Sequence, residues 1–370
     1  VITMSQLADM DVFTLGAEIK KKVPELPVVL LAHDSLPSSA REWRMDVTRP
    51  PAIDQCFVWS GNTDILVALV KSAEDRLNVE HDTEFAGIRV ILFVEDSPTY
   101  ISSLLPVLYK ELVSQTQAIM EYRHHEEHKL LTMRARPKIL VAESFEEASQ
   151  LFKKFEPYIL GVISDVRFPR NGVLDENGGV TFLSQIKKER FDIPLLLTSS
   201  EPSNADKARK ISVAFVDKNS PSLHAEVRSF FVDQLGFGDF VFRKPDGREI
   251  VPAPNLRKFE EHLNTVPEDS FVHHCSRNDL SRWLFARTEI VLASKMRPLR
   301  YDDFTSVESH REYLISMIQT WRQRRQKGIV IDFDPGDFDP ATEFFKIGKG
   351  SLGGKARGLA FVANLLQRLP

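Results

Sequence analysis

Asp165 closes a short apolar run, Ile159 to Phe168 (ILGVISDVRF), and the chain then opens into a loop rich in Asn, Gly and Asp. A continuous apolar run reads as a strand buried on both faces. In open α/β sheets the chemistry gathers just beyond the carboxyl ends of such strands. Three more runs end in matching groups. Val90 to Asp96 (VILFVED) ends in the acid pair Glu95 and Asp96, Ile193 to Ser200 (IPLLLTSS) in hydroxyls, and Val213 to Lys218 (VAFVDK) in a lysine. Adjacent carboxylates repel unless solvated or holding a cation, and hard oxygen donors suit Mg²⁺. The set therefore offers a metal-binding acid pair, a nucleophile at Asp165, a hydroxyl at Ser199 or Thr198, and a fixed cation at Lys218.

These residues resemble the receiver domain of two-component response regulators, over roughly residues 88 to 236. The resemblance implies an α/β fold of the flavodoxin-like type, with a five-stranded parallel sheet. It implies that Asp165 accepts a phosphoryl group and that Glu95, Asp96, Asp165 and the backbone carbonyl of Arg167 hold Mg²⁺. Ser199 or Thr198, with Lys218, would bind the phosphoryl oxygens; counting from Pro194 favours Ser199. Phe215 would be the aromatic that changes rotamer with state. The implied partners are a histidine kinase or phosphotransfer protein. The chain departs from the family at Asn219, where proline usually follows the lysine, and in an insertion, Gly172 to Gly179, expected to reshape access to Asp165. The alternative is a structural pseudo-receiver without phosphoryl chemistry.

Residues 1 to 80 read as the back half of a second, degenerate receiver. Met4 stands where the acceptor belongs, Ala32 where the hydroxyl belongs and Ser60 where the lysine belongs. A thioether, a methyl and a hydroxyl cannot accept or neutralise a phosphoryl group. The chain opens as if in the middle of a domain. A helix is expected over Thr14 to Val23, another over Thr63 to Leu77, and a polar linker over residues 81 to 87.

Ser97-Pro98 opens a helix with an apolar face at Leu104, Leu105, Leu108 and Leu112. Its polar pattern continues to about Arg136, as a rod able to reach a partner or a second subunit. His124 and His128 there share a helical face beside His125, but the flanking Glu and Arg favour a solvated face over a metal site.

Beyond the receiver, residues 237 to 332 read as a β-hairpin over Phe240 to Ile250, turned at Pro-Asp-Gly, and a mainly helical connector. Helices are expected over Leu256 to Leu263, Leu280 to Ser294 and Val307 to Gln326. Arg322, Arg324 and Arg325 read as a solvated helix end rather than a phosphate site. Asp332 to Asp339 reads as an acidic linker, without the EF-hand pattern.

From Phe345 a Gly-rich loop carrying Lys355 feeds a helix, an arrangement that lets backbone N–H groups approach phosphate. It is not a Walker A loop, because Ala356 follows the lysine. The stretch is similar to the start of the nucleotide-binding domain of phosphoenolpyruvate synthases and pyruvate phosphate dikinases. That similarity, over residues 341 to 370, implies ATP contacts at Gly353, Gly354 and Lys355, and a longer parent enzyme, a downstream catalytic domain under the receiver's control.

The chain has 370 residues and a formal net charge of −4, a length for two or three domains and a balance with no electrostatic case for nucleic acid or anionic membrane. Cys56 and Cys275 form no metal-spacing motif and suit reduced thiols in a cytoplasmic protein. No transmembrane run or signal peptide is visible. A homodimer is compatible with the pattern.

Overall fold

The computed structural model describes residues 1–4, 7, 9–33, 52–121, 135–326, 330–333, 335, 338–339, 342–348 and 350–366. The first compact unit comprises Val1–Ser114 and Arg136–Leu235; the second holds the chain from Gly236 and the helix end from Gln115.

The first unit opens with β1 (Ile2–Met4), α1 (Val12–Lys22), β2 (Val29–Ala32) and β3 (Gln55–Val58), a parallel sheet in the order β1-β2-β3. Asp11 caps α1 by accepting from the Phe13 and Thr14 amides. Next comes α2 (Asp64–Ala86), which runs straight through the stretch expected to be a linker. Its buried stripe is Ile65, Ala68, Leu69, Ser72, Asp75, Val79 and Thr83. The period is helical, but polar residues carry part of its second half, and so the composition reads as a linker. Gly87, at φ 64°, ends it in the left-handed conformation.

The five-stranded sheet is built from β4 (Val90–Val94), α3 (Pro98–Glu121), β5 (Lys138–Ala142), α4 (Phe145–Phe155), β6 (Ile159–Asp165), the hairpin β7 (Phe168–Arg170) and β8 (Val173–Asp175), α5 (Gly178–Glu189), β9 (Leu195–Ser199), α6 (Ala205–Lys210), β10 (Ala214–Asp217) and α7 (Leu223–Ser229). Its order is β10-β9-β6-β4-β5, all parallel. Leaving out the hairpin and numbering the sheet's own strands from β4, this is 2-1-3-4-5, the flavodoxin-like order. Apolar side chains of β4, β6 and β9 pack with Phe145, Phe152, Phe182 and Ile186 in one core. The expected insertion, Gly172 to Gly179, covers the second strand of the β7–β8 hairpin and runs into the first residues of α5; the hairpin turns at Asn171 and Gly172, both at positive φ. His124, His125 and His128 lie outside the described residues, as does most of the rod beyond Glu121.

The helix α2 joins the two sheets instead of separating two domains. Asp75, fully buried, accepts two bonds from Arg136, at 2.7 and 3.1 Å, and one each from the Tyr109 hydroxyl and the Ile139 amide, both at 2.9 Å. Ile139 lies on β5, an outer strand of the five-stranded sheet. In return, Ser102 of α3 accepts from the Val58 amide at 2.7 Å, on β3, an outer strand of the first sheet. Each sheet thus has an edge covered by a helix from the other half.

The second unit holds the hairpin β11 (Phe240–Arg243) and β12 (Glu249–Ala253), helices α8 (Leu256–Leu263), α9 (Glu268–Ser276), α10 (Asp279–Ala286), α11 (Ile290–Met296) and α12 (Val307–Gln326), strands β13 (Val330–Asp332) and β14 (Phe344–Lys346), and α13 (Gly354–Leu366). The helix expected over Leu280 to Ser294 is two helices, broken where Thr288 takes φ 60°. Arg322 does not sit at a solvated end: it pairs with Glu260 and, at 2.6 Å, with Asp339, while Arg325 pairs with Glu289.

Candidate functional site

The strand ends converge as the apolar runs require. Glu95 follows β4, Asp165 ends β6, Thr198 and Ser199 end β9, and Lys218 follows β10. Carboxylate oxygens of Glu95, Asp96 and Asp165 lie within 4.8 Å of one another. The Lys218 ammonium bonds Glu95 and sits 2.8 Å from Asp165 Oδ1. Glu95, Asp165 and Lys218 are all buried. Burial pushes the Glu95 carboxyl up to about 8, against the pull of the Lys218 ammonium and with help from the Asp165 charge. Three carboxyl groups brought together, two of them on the Lys218 ammonium, make a donor set that a hard divalent cation fits.

The backbone holds Asp165 from both sides. The Arg167 amide donates to its Oδ2 at 3.2 Å. At the start of α5, a Cβ on Gly179 would lie 1.8 Å from the Asp165 carbonyl oxygen, so only glycine lets α5 begin there. The Gly-Gly pair inside the insertion therefore has a packing reason.

The two hydroxyls differ. Ser199 Oγ accepts from the Glu201 amide at 3.1 Å and from Asn204 Nδ2 at 2.9 Å. Thr198 pairs in register with Asp165, and its buried Oγ1 has no hydrogen-bond partner among the described residues. A buried hydroxyl left in that condition fits an incoming acceptor or donor. Phe215 is half-buried on β10 against the core. In place of proline, Asn219 donates its side-chain amide to the Ser200 carbonyl at 3.2 Å, tying the two strand ends together.

Sequence reasoning passed over two neighbours. The Tyr100 ring lies 4.2 Å from Lys218 Nζ, and its signal was its place in the first turn of a helix opening at the acid pair. The Arg167 guanidinium bridges Glu201 at 2.9 Å and Glu176 at 3.4 Å across loops flanking Asp165; no local spacing marks that contact.

Away from this site, His273, His274 and Asp279 also cluster. His274 Nε2 accepts from the Arg243 amide at 2.8 Å, which leaves Nδ1–H to donate to Asp279 at 2.8 Å. Both ring nitrogens are engaged, so the group is a structural tie and not a metal site. Gly353, Gly354 and Lys355 lie at the start of α13, exposed, with open space where each glycine's Cβ would be.

No family model and no curated protein matches the chain. Among solved structures, the Mn(2+)-bound form of response regulator Rcp1 is similar over 39% of this chain and 93% of that chain, at 16% identity and a TM-score of 0.24. That likeness is too slight to carry weight. The strand order makes residues 88–235 a flavodoxin-like fold, with acid, hydroxyl and lysine groups at its strand ends. Among the described residues, no helix is long and apolar enough to cross a membrane.

Proposed function

We propose that residues 88–235 form a phosphoacceptor receiver that controls the region C-terminal to it. The observation that carries this reading is the meeting of Asp165, the acid pair and Lys218 in one cluster at the strand ends. Glu95, Asp96 and Asp165, with the Arg167 carbonyl, would hold Mg²⁺, whose chemistry is to offset charge on the phosphoryl oxygens. An Asp165 carboxylate oxygen attacks phosphorus of a phosphohistidine on a histidine kinase or phosphotransfer protein. The new P–O bond forms as the P–N bond breaks, and the leaving imidazole keeps that electron pair. Lys218 and the Thr198 or Ser199 hydroxyl take the transferred oxygens. Phe215, beside Lys218 in sequence, would report the change on β10.

The appended activity is also part of the proposal. Gly353, Gly354 and Lys355 at the head of α13 support an ATP contact in a phosphoenolpyruvate synthase-like or dikinase-like region of a longer cytoplasmic protein, possessed of its own substrate site and open to dimer formation. For the first sheet a scaffold role is the better reading, because Met4, Ala32 and Ser60 supply no acceptor, hydroxyl or ammonium at the corresponding strand ends.

Mg²⁺-dependent labelling by acetyl phosphate, read by intact mass, tests the receiver. Saturable labelling that disappears in Asp165→Asn is expected. Labelling unchanged in that variant would move the acceptor elsewhere, and neither labelling nor Mg²⁺ binding would leave the whole unit a scaffold.

A further inference from the structure

The helix α3 begins at the acid pair and touches three things in sequence. In its first turn the half-buried Tyr100 sets its ring 4.2 Å from Lys218 Nζ. Two residues on, Ser102 Oγ accepts from the Val58 amide at the edge of the first sheet, and donates to the Pro98 carbonyl. Two turns further, Tyr109 donates to Asp75 of α2. Glu95, Asp165 and the Tyr100 ring therefore share the Lys218 ammonium, while the same helix holds β3.

We propose that Tyr100 positions Lys218, and that α3 carries the state of the Asp165 site to the edge of the first sheet. The inference rests on the phosphoacceptor reading above. An ammonium has three donors and is held over a ring by the ring's quadrupole. A divalent cation among the carboxylates competes with Nζ for Glu95 and Asp165. A phosphoryl group on Asp165 claims Nζ for its own oxygens. Either arrival moves Nζ relative to Tyr100. Close-packed elements pass such shifts on as small rigid-body movements, and the next hold along α3 is Ser102 on Val58. The first sheet, lacking acceptor chemistry, is placed to receive a signal and not to originate one.

The test is a titration of the whole chain with Mg²⁺ and beryllofluoride, monitored in 1H–15N TROSY spectra. The Arg167 and Thr198 amides should shift, and the Val58 amide should shift with the same midpoint. In Tyr100→Leu the Arg167 shift should need more beryllofluoride, and Val58 should stay still even at saturation. Tyr100→Phe, which keeps the ring, should restore both. A wild-type response at Arg167 with a still Val58, or a full Val58 response in Tyr100→Leu, overturns the relay. A still Arg167 and Thr198 in the wild type removes the phosphoacceptor reading and the relay with it. Should Tyr100→Leu fail to fold, Ser102→Ala decides: it must abolish the Val58 response and leave that of Arg167, and a Val58 response that survives it overturns the relay.

Discussion

Asp75 and Arg136 meet as a two-bond pair, at 2.7 and 3.1 Å, with the carboxylate fully buried. Sixty-one residues apart in sequence, they fasten α2 to the edge of the five-stranded sheet. Removing Arg136 leaves the buried Asp75 charge with only the Lys138 ammonium, 3.6 Å away, a loss of at most about 3–5 kcal/mol. Arg136→Met should lower the unfolding free energy read from urea melts by up to that amount. Adding Asp75→Leu should recover part of it, because the stranded charge is then gone, though the Ile139 amide loses its acceptor.

Lys218 occupies the place a cation would contest. Lys218→Met should abolish stable labelling at Asp165 yet tighten Mg²⁺ binding, by roughly fivefold for about 1 kcal/mol of released competition. Isothermal titration with Mg²⁺ reads the second effect, and weaker binding in the variant would count against the assigned cluster.

Gly179→Ala puts a methyl against the Asp165 carbonyl backbone. The clash cannot be relieved by a side-chain rotation, so a cost of about 1–3 kcal/mol is expected, with slower labelling. Gly172→Ala, at φ 76° with open space around it, should cost stability through backbone strain alone and leave labelling intact. Thermal melts and labelling rates on the two variants separate these causes.

Burial pushes the Cys275 thiol up to about 12, while the Arg311 charge pulls the other way. At pH 8 only about one thiol in ten thousand is then thiolate, the reactive form. Iodoacetamide should leave Cys275 unmodified in the native protein and label it fully in urea. Rapid native labelling would show that the α9 environment is open.

Burial works to raise the Asp279 carboxyl, but the His274 hydrogen bond and the charges of Arg282 and Arg277 outweigh it and hold it below its usual value. A depressed carboxyl stabilises the fold above its unfolded pKa, near 3.9, and that contribution is lost as pH falls through the folded value. Asp279→Asn should therefore be less stable than the wild type at pH 7, and the gap should close below about pH 4. Denaturant melts across that range give the comparison.

The groups at the strand ends were legible because each is announced by an apolar run with nothing else to end it. Asp165, Glu95 and Lys218 could be placed from such runs alone. The joint between the halves was not legible, because its key residues are polar. Ser72 and Asp75 on the buried face of α2 look like solvated positions until Gln55, Arg136 and Tyr109 are brought to them from elsewhere in the chain. The break at Thr288 escaped for a different reason: an apolar period continues across it, and a positive φ at a β-branched residue leaves no mark in a pattern of hydrophobicity.

The exchange of edge covers between the two sheets also bears on how this protein can be taken apart. A cut near residue 88, where the flavodoxin-like fold begins, would remove α2 and with it the carboxylate that satisfies the Ile139 amide. The isolated piece would carry β5 as a bare margin, ready to pair with the margin of another molecule. Its tendency to stick to itself would then be a product of the dissection, and would say nothing about how the intact chain associates.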